Sequence, residues 1–135
     1  MPESTTRPFE VSLGLPVRTY DIDMLGIVHN RVYIRWLEDL RMQVLAEYLP
    51  LQPLVEAGIS PLLVKTCIEY KRPVRLFDPL VGHMWMAALG RARYTLRAEF
   101  LVNGQLMASA EQTGCFVELA TGRPVPVPKQ ARDQW

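Results

Sequence analysis

The chain has 135 residues, 49% apolar and 21% charged, which bounds it to one globular domain with a core of its own. A net charge of +1 leaves no global field to draw it to nucleic acid or an anionic membrane, so neither is an expected partner. Cys67 and Cys115 are too few and too far apart for a metal site or a disulfide framework, and are expected as buried free thiols. MPESTTRPFE carries no apolar run, which argues against a signal peptide or membrane anchor and makes the cytoplasm the expected compartment.

In chain order, Met1–Pro8 is polar and expected to be loose. Phe9–Tyr20 has apolar residues at period two (Val11, Leu13, Leu15, Val17) and reads as a strand. Pro16 assigns it to an edge or a bulge. Asp21–His29 is a loop with two acids and Gly26. A helix is expected from Asn30 to Tyr48, because Tyr33, Trp36, Leu37, Leu40, Val44 and Tyr48 recur at three and four residues. Glu38 and Arg41, three apart, are expected to pair. Pro50 and Pro53 stop the helix, and Leu54–Ala57 adds a short turn.

The remainder reads as strands: Leu62–Tyr70, Leu80–Leu89, Ala92–Val102 and Gln105–Leu119. Asn103-Gly104 asks for a tight hairpin with positive φ at both residues. Thr121–Pro124 is a turn and Lys129–Trp135 a polar tail. The order β-α-β-β-β-β predicts an α+β fold with an antiparallel sheet over one long helix.

A carboxylate in the loop before a helix start can do acyl chemistry. The first helical turn offers unpaired N–H groups and partial positive charge, suited to an oxyanion. A carboxylate beside it can attack the carbonyl carbon or activate water. Gly26 lets backbone approach a substrate closely. The competing reading is that such acids only cap helices or brace turns, which is the role expected for Asp21.

DIDMLGIVHNRVYIRWLEDLR (Asp21–Arg41) resembles the signature of hotdog-fold thioesterases of the 4-hydroxybenzoyl-CoA thioesterase type. The matching positions are Asp21, Asp23, Gly26, Asn30, Tyr33, Trp36, Glu38 and Arg41. Ile68–Asp78 and Gly122–Pro128 resemble later segments of that family, extending the likeness from about Val17 to Pro128. The resemblance implies a sheet of about five strands wrapped around the helix, and a homodimer or a tetramer made of two dimers, with active sites between subunits. It assigns Asp23 as the catalytic carboxylate, nucleophile or general base, and the Asn30 N–H as oxyanion donor. His29, where relatives carry other residues, is a candidate to polarise the thioester or tune Asp23. Arg91 and Arg93, with Arg97, are candidates to meet the phosphates of coenzyme A, or the surface of an acyl carrier protein. Tyr33 and Trp36 are candidates to contact substrate. Trp36 and Leu37, with Met84–Met86, could line an acyl tunnel, although core is the commoner role for such residues. His83 reads as a sheet-face residue.

The expected activity is hydrolysis of an acyl-CoA or acyl-carrier-protein thioester, with no cofactor and no metal. The alternative is a non-catalytic hotdog module that binds the same acyl carriers. A hotdog dehydratase places its His and acid in a different pattern from the one found here.

Overall fold

A computed structural model describes residues 7–135. Strand β1 (Val11–Gly14) is followed by a 3-10 turn at Thr19–Asp21 and by helix α1 (Val32–Tyr48). Short helix α2 (Leu51–Glu56) leads to β2 (Ile59–Tyr70), β3 (Leu80–Leu89), β4 (Arg93–Val102) and β5 (Gln105–Glu118). A two-residue strand β6 (Pro124–Val125) and helix α3 (Lys129–Gln134) close the chain. The sheet is antiparallel in the order β1-β3-β4-β5-β2, with β6 added to β5. This is the expected α+β arrangement of one long helix against a sheet.

The apolar stripe of α1 drives that packing. Val32, Tyr33, Trp36, Leu37, Leu40 and Val44 are buried against Val11, Leu15, Met84, Phe100 and their neighbours. Gly82 marks the closest approach: a Cβ there would stand 2.7 Å from Leu15 Cδ1 and 3.1 Å from Leu40 Cδ1. Successive strand residues face opposite sides, so Met84 and Met86 enter the core. Trp85 faces away, covered by the Arg7 guanidinium 3.8 Å above its ring. The hairpin at Asn103-Gly104 has φ of +50° and +79°, the doubly positive turn expected of that pair.

Several expectations are corrected. The first strand is only four residues long. Pro16 has no N–H to continue the ladder, and the chain turns away after Leu15, whose N–H reaches Leu80. Helix α1 begins at Val32 rather than Asn30; Asn30 and Arg31 form a turn ahead of it. Strand β2 starts earlier than expected, at Ile59, carrying Pro61 on the outermost strand. Lys129–Gln134 is helical with Ala131 buried, where a loose tail was expected. Of the segment expected to be loose, Arg7 is tied to Glu10 and Glu99 and the Pro8 carbonyl accepts Met86 N–H; residues 1–6 lie outside the described residues. Cys67 is exposed on β2 and Cys115 half-buried, both free. Strand β2 is exposed along most of its length, Leu62 and Val64 included, with a bulge at Val64.

Candidate active site

The loop between the 3-10 turn and α1 closes on itself. Ile22 bridges Val28, and Asp23 N–H donates to the Ile27 carbonyl at 2.9 Å. The tip Met24-Leu25-Gly26 is a tight turn in which Gly26 takes φ +76°, a conformation costly for any residue with a Cβ. The loop is pinned on its other side by Val28 N–H to the Val74 carbonyl and a bridge from Ile27 to Arg75. The segment before β3 thus forms one wall, with Phe77 turned out to solvent.

The two acids of the loop have opposite environments. Asp21 is fully buried. Its Oδ2 accepts Arg18 N–H at 2.9 Å, and its carbonyl accepts His29 N–H at 2.9 Å. Its Oδ1 lies 3.0 Å from Arg35 Nη2, though off the line of a hydrogen bond, so the contact is Coulombic. Asp21 therefore clamps the loop to the first turns of α1, a structural role that the sequence assigned correctly in kind. Arg35, its partner, carried no sequence signal beyond being a charge on a helix.

Asp23 is exposed. Its Oδ1 accepts two backbone N–H groups, from Leu25 at 2.9 Å and Ile27 at 3.1 Å, while Oδ2 has no partner among the described residues. The Ile27 N–H holds its pKa below the usual carboxylate value, aided by the Leu25 N–H and the nearby His29, against a smaller opposing effect of burial. Asp23 is thus kept ionised, with one oxygen fixed and the other open.

At the start of α1, the N–H groups of Val32, Tyr33 and Ile34 reach the carbonyls of His29, Asn30 and Arg31. The N–H groups of Asn30 and Arg31 have no acceptor among the described residues. Asn30, named from the sequence, is therefore joined by Arg31, which was not. Asn30 does not cap the helix through its side chain; its carbonyl accepts the Tyr70 hydroxyl at 3.2 Å. His29 is half-buried beside Asp23.

Gly26 N–H donates to the Asp23 carbonyl at 3.0 Å and His29 acts on the Asp23 carboxylate, with Asn30 next in the chain at the helix start; the other candidates lie elsewhere. Tyr33 and Trp36 are each 2% exposed, edge-on to one another in a cluster with Tyr70 and Phe100. Burial, and secondarily Tyr70, pushes the Tyr33 hydroxyl up to about 12. These two residues hold the floor beneath the helix start and present little surface to a ligand. Arg91 and Arg93 are exposed at the turn between β3 and β4. That turn is ten β3 residues, about 33 Å, from the strand end that adjoins the Asp23 loop. Within one chain they cannot share a ligand with Asp23 unless it is very long. Among the described residues no group of three or more metal-ligating side chains converges, and no helix is long and apolar enough to cross a membrane.

Residues 17–135 match the thioesterase-like superfamily. The chain belongs to this family. A putative esterase of Aquifex aeolicus is 28% identical over 115 residues, 84% of this chain and 88% of that one. A thioesterase of Thermus thermophilus, solved with coenzyme A and zinc, superposes with a TM-score of 0.79 at 26% identity, covering 91% of this chain and 89% of that one. A 1,4-dihydroxy-2-naphthoyl-CoA thioesterase of Synechocystis gives 0.83 at 19% identity over 93% and 94%, a likeness of fold alone. The α+β arrangement of this thioesterase-like chain is accordingly the hotdog fold, as the signature around α1 implied. The motif that carried the resemblance, Asp21 to Arg41, is the segment that here forms the closed loop and the helix it feeds.

Proposed function

We propose that the protein hydrolyses an acyl thioester, carried on coenzyme A or on acyl carrier protein, to a free acid and a thiol. The observation that carries this reading is Asp23: an exposed, ionised carboxylate with Oδ1 anchored by two N–H groups and Oδ2 open. It lies in the loop feeding a helix start with two N–H donors that have no acceptor among the described residues. The thioester oxygen would take the N–H groups of Asn30 and Arg31 as its charge grows; one such donor is worth ~3–4 kcal/mol in a transition state. Asp23 would remove a proton from water as the water oxygen bonds to the carbonyl carbon. Alternatively, it would bond to that carbon itself, forming an anhydride that water then opens. Either way the C–S bond breaks and the thiolate leaves with a proton. His29 would donate to the same carbonyl.

The reading includes a homodimer as the active unit. Among the described residues strand β2 ends the sheet with an unpaired edge, and Leu62 and Val64 are exposed on it. Two copies joined antiparallel at β2 about a two-fold axis would set the Tyr70 end of one strand beside the Ile59 end of the other. Arg93 lies level with Leu62 across β5, and the Tyr70 hydroxyl reaches Asn30. Such a pairing would carry the Arg91–Arg93 turn of one copy toward Asp23 of the other, where the arginines would meet the carrier's phosphates.

The test is thiol release from acyl-CoA and acyl-carrier-protein panels by wild type, Asp23→Asn and Asp23→Ala. Asn keeps an oxygen to accept the Leu25 and Ile27 N–H groups but cannot act as base or nucleophile. We expect it to stay folded and lose about 10²- to 10⁴-fold in turnover. Turnover by Asp23→Asn at the wild-type rate would remove Asp23 from the chemistry. No hydrolysis of any thioester by wild type, with acyl carriers still bound, would make the protein a binding module.

A further inference from the structure

Strand β2 ends at Tyr70, beside the start of α1. Successive residues of a strand face opposite sides. Thr66 meets the buried Gln112 on the helix side of the sheet and Ile68 packs on the core, so Tyr70 is the next residue on that face. Its ring stands edge-on to Tyr33, with centroids 5.2 Å apart. Tyr33 is in turn edge-on to Trp36 and Phe100, so the Tyr70 ring rests on fixed core. The backbone holds it from the other side: the N–H groups of Lys71 and Arg72 both donate to the Met107 carbonyl, at 2.8 and 3.0 Å. Placed in this way, the Tyr70 hydroxyl donates to the Asn30 carbonyl at 3.2 Å. Burial pushes that hydroxyl above its ordinary pKa of 10.0, so it keeps its proton, and donates, throughout the neutral range.

The Asn30 carbonyl and the Arg31 N–H are two ends of one peptide group, planar and trans, and point in opposite directions. That N–H is one of the two at the helix start with no acceptor among the described residues. Whatever fixes the carbonyl therefore aims the N–H. The helix fixes it weakly. From the helix, the Asn30 carbonyl accepts Tyr33 N–H at 3.3 Å, the longest of the three bonds of the first turn. Such bonds are ordinarily about 2.9–3.0 Å. A donor left to that bond alone would have to reorient as charge forms on an oxygen before it, and so would lose part of its worth. A hydrogen bond to the carbonyl also polarises the amide and makes its N–H the stronger donor.

We propose that Tyr70 is a positioning residue for the oxyanion site: its hydroxyl holds the Asn30–Arg31 peptide group by the carbonyl and aims the Arg31 N–H at the thioester oxygen. The proposal rests on the thioester-hydrolysis reading above, and adds to it a residue 40 positions beyond Asn30 in the chain. In this role Tyr70 acts through the peptide group alone and contacts neither thioester nor Asp23. The thioester oxygen is nearly neutral in the bound substrate and anionic in the transition state. Loss of the hydroxyl therefore lowers kcat and leaves KM in place.

The test is Tyr70→Phe on the full chain, which keeps the ring on Tyr33 and removes only the hydroxyl. Tyr70 is 45% exposed, so this loss leaves the fold intact. On a thioester that wild type hydrolyses, kcat is expected to fall about tenfold with KM within about twofold, less than the ~10²- to 10³-fold cost of deleting an oxyanion donor outright. By NMR without substrate, the Asn30 carbonyl-carbon resonance is expected to move upfield and the Arg31 amide to shift. An unchanged Asn30 carbonyl resonance, a kcat equal to that of wild type, or a loss confined to KM would each overturn the proposal while thioester hydrolysis stands. Absence of turnover by wild type would instead overturn the hydrolysis reading, and this proposal with it.

Discussion

Removing the Asp21 carboxylate tests whether the site loop is held by the clamp described above. In Asp21→Ala, Arg18 N–H loses its acceptor, and an orphaned, partly buried donor costs about 1–3 kcal/mol. The contact to Arg35 is lost too. Arg35 is 47% exposed, so solvent screens the pair to about 1 kcal/mol or less. Relief from burying a carboxylate offsets some of this, and the net is about 1–3 kcal/mol. A chain of 135 residues unfolds with an entropy of ~0.28 kcal/mol/K, so each kcal/mol lowers Tm by roughly 3.5 °C. A Tm about 4–10 °C below wild type is expected by calorimetry. Asp21→Asn retains an acceptor for Arg18 and should fall by less than half of that. Thioester turnover in Asp21→Ala, measured well below its Tm, should drop at least tenfold because Asp23 and the helix start lose their common anchor. A Tm within about 2 °C of wild type would refute the argument, because burial of the charge would then cancel everything the clamp contributes.

Three further outcomes follow from the same geometry. Asp23 titrates below the usual carboxylate value of 3.8 because of its backbone donors. Its folded pKa is thus depressed, and the stability it contributes is present above 3.8 and lost as pH falls through the folded value. The acid limb of kcat/KM should lie below 3.8 and be absent from the residual activity of Asp23→Asn; a limb well above 3.8, or one retained in Asp23→Asn, would mean that another group carries the essential ionisation. Leu62→Asp with Val64→Asp should yield monomers by sedimentation, with turnover lost while the melting profile stays cooperative. A fully active monomer would place the whole site within one chain. Tyr33 is raised to about 12 by burial, so its stabilisation is complete below 10, the unfolded value, and declines as pH rises through 12. Alkaline unfolding monitored by tyrosinate absorbance should begin later in Tyr33→Phe, and identical alkaline profiles would show that the hydroxyl is solvated.

The fold was legible wherever local pattern and packing ask for the same thing. Helix α1 was readable because its apolar residues repeat at the helical period and all face one sheet. Strand β3 was expected and found at Leu80–Leu89, and the Asn-Gly turn fixed the register of β4 on β5. The misses have a common cause in tertiary context. A proline that ends β1 was weighed against four alternating apolar residues, and the ladder needed its missing N–H. Strand β2 extends back through Ser60-Pro61 because β5 is long enough to pair with it. The polar C-terminal segment becomes α3 because Ala131 finds a hydrophobic place that no local sequence announces.

Within the candidate site, the sequence identified residues close along the chain and failed for those joined only by folding. Asp23, Gly26, His29 and Asn30 lie within eight positions, so one motif names them together. Arg35 and Arg41 lie about one and a half and three helical turns beyond Asn30, two cations on one helix. Folding separates them completely: Arg35 reaches back to a buried acid, while Arg41 points beneath the helix to a buried amide. The expected Glu38–Arg41 pair was reasonable on an isolated helix, where the spacing alone decides. It fails because Gln112 offers Arg41 an acceptor from the sheet, at a depth where Glu38 does not follow. The same logic applies to Arg91 and Arg93. Their chemistry fits a phosphate, but a strand of ten residues stands between them and Asp23. If they act on the same substrate, the contact must cross from one copy to another. The oligomer is therefore part of the catalytic argument, and disrupting β2 tests the arginines as directly as mutating them.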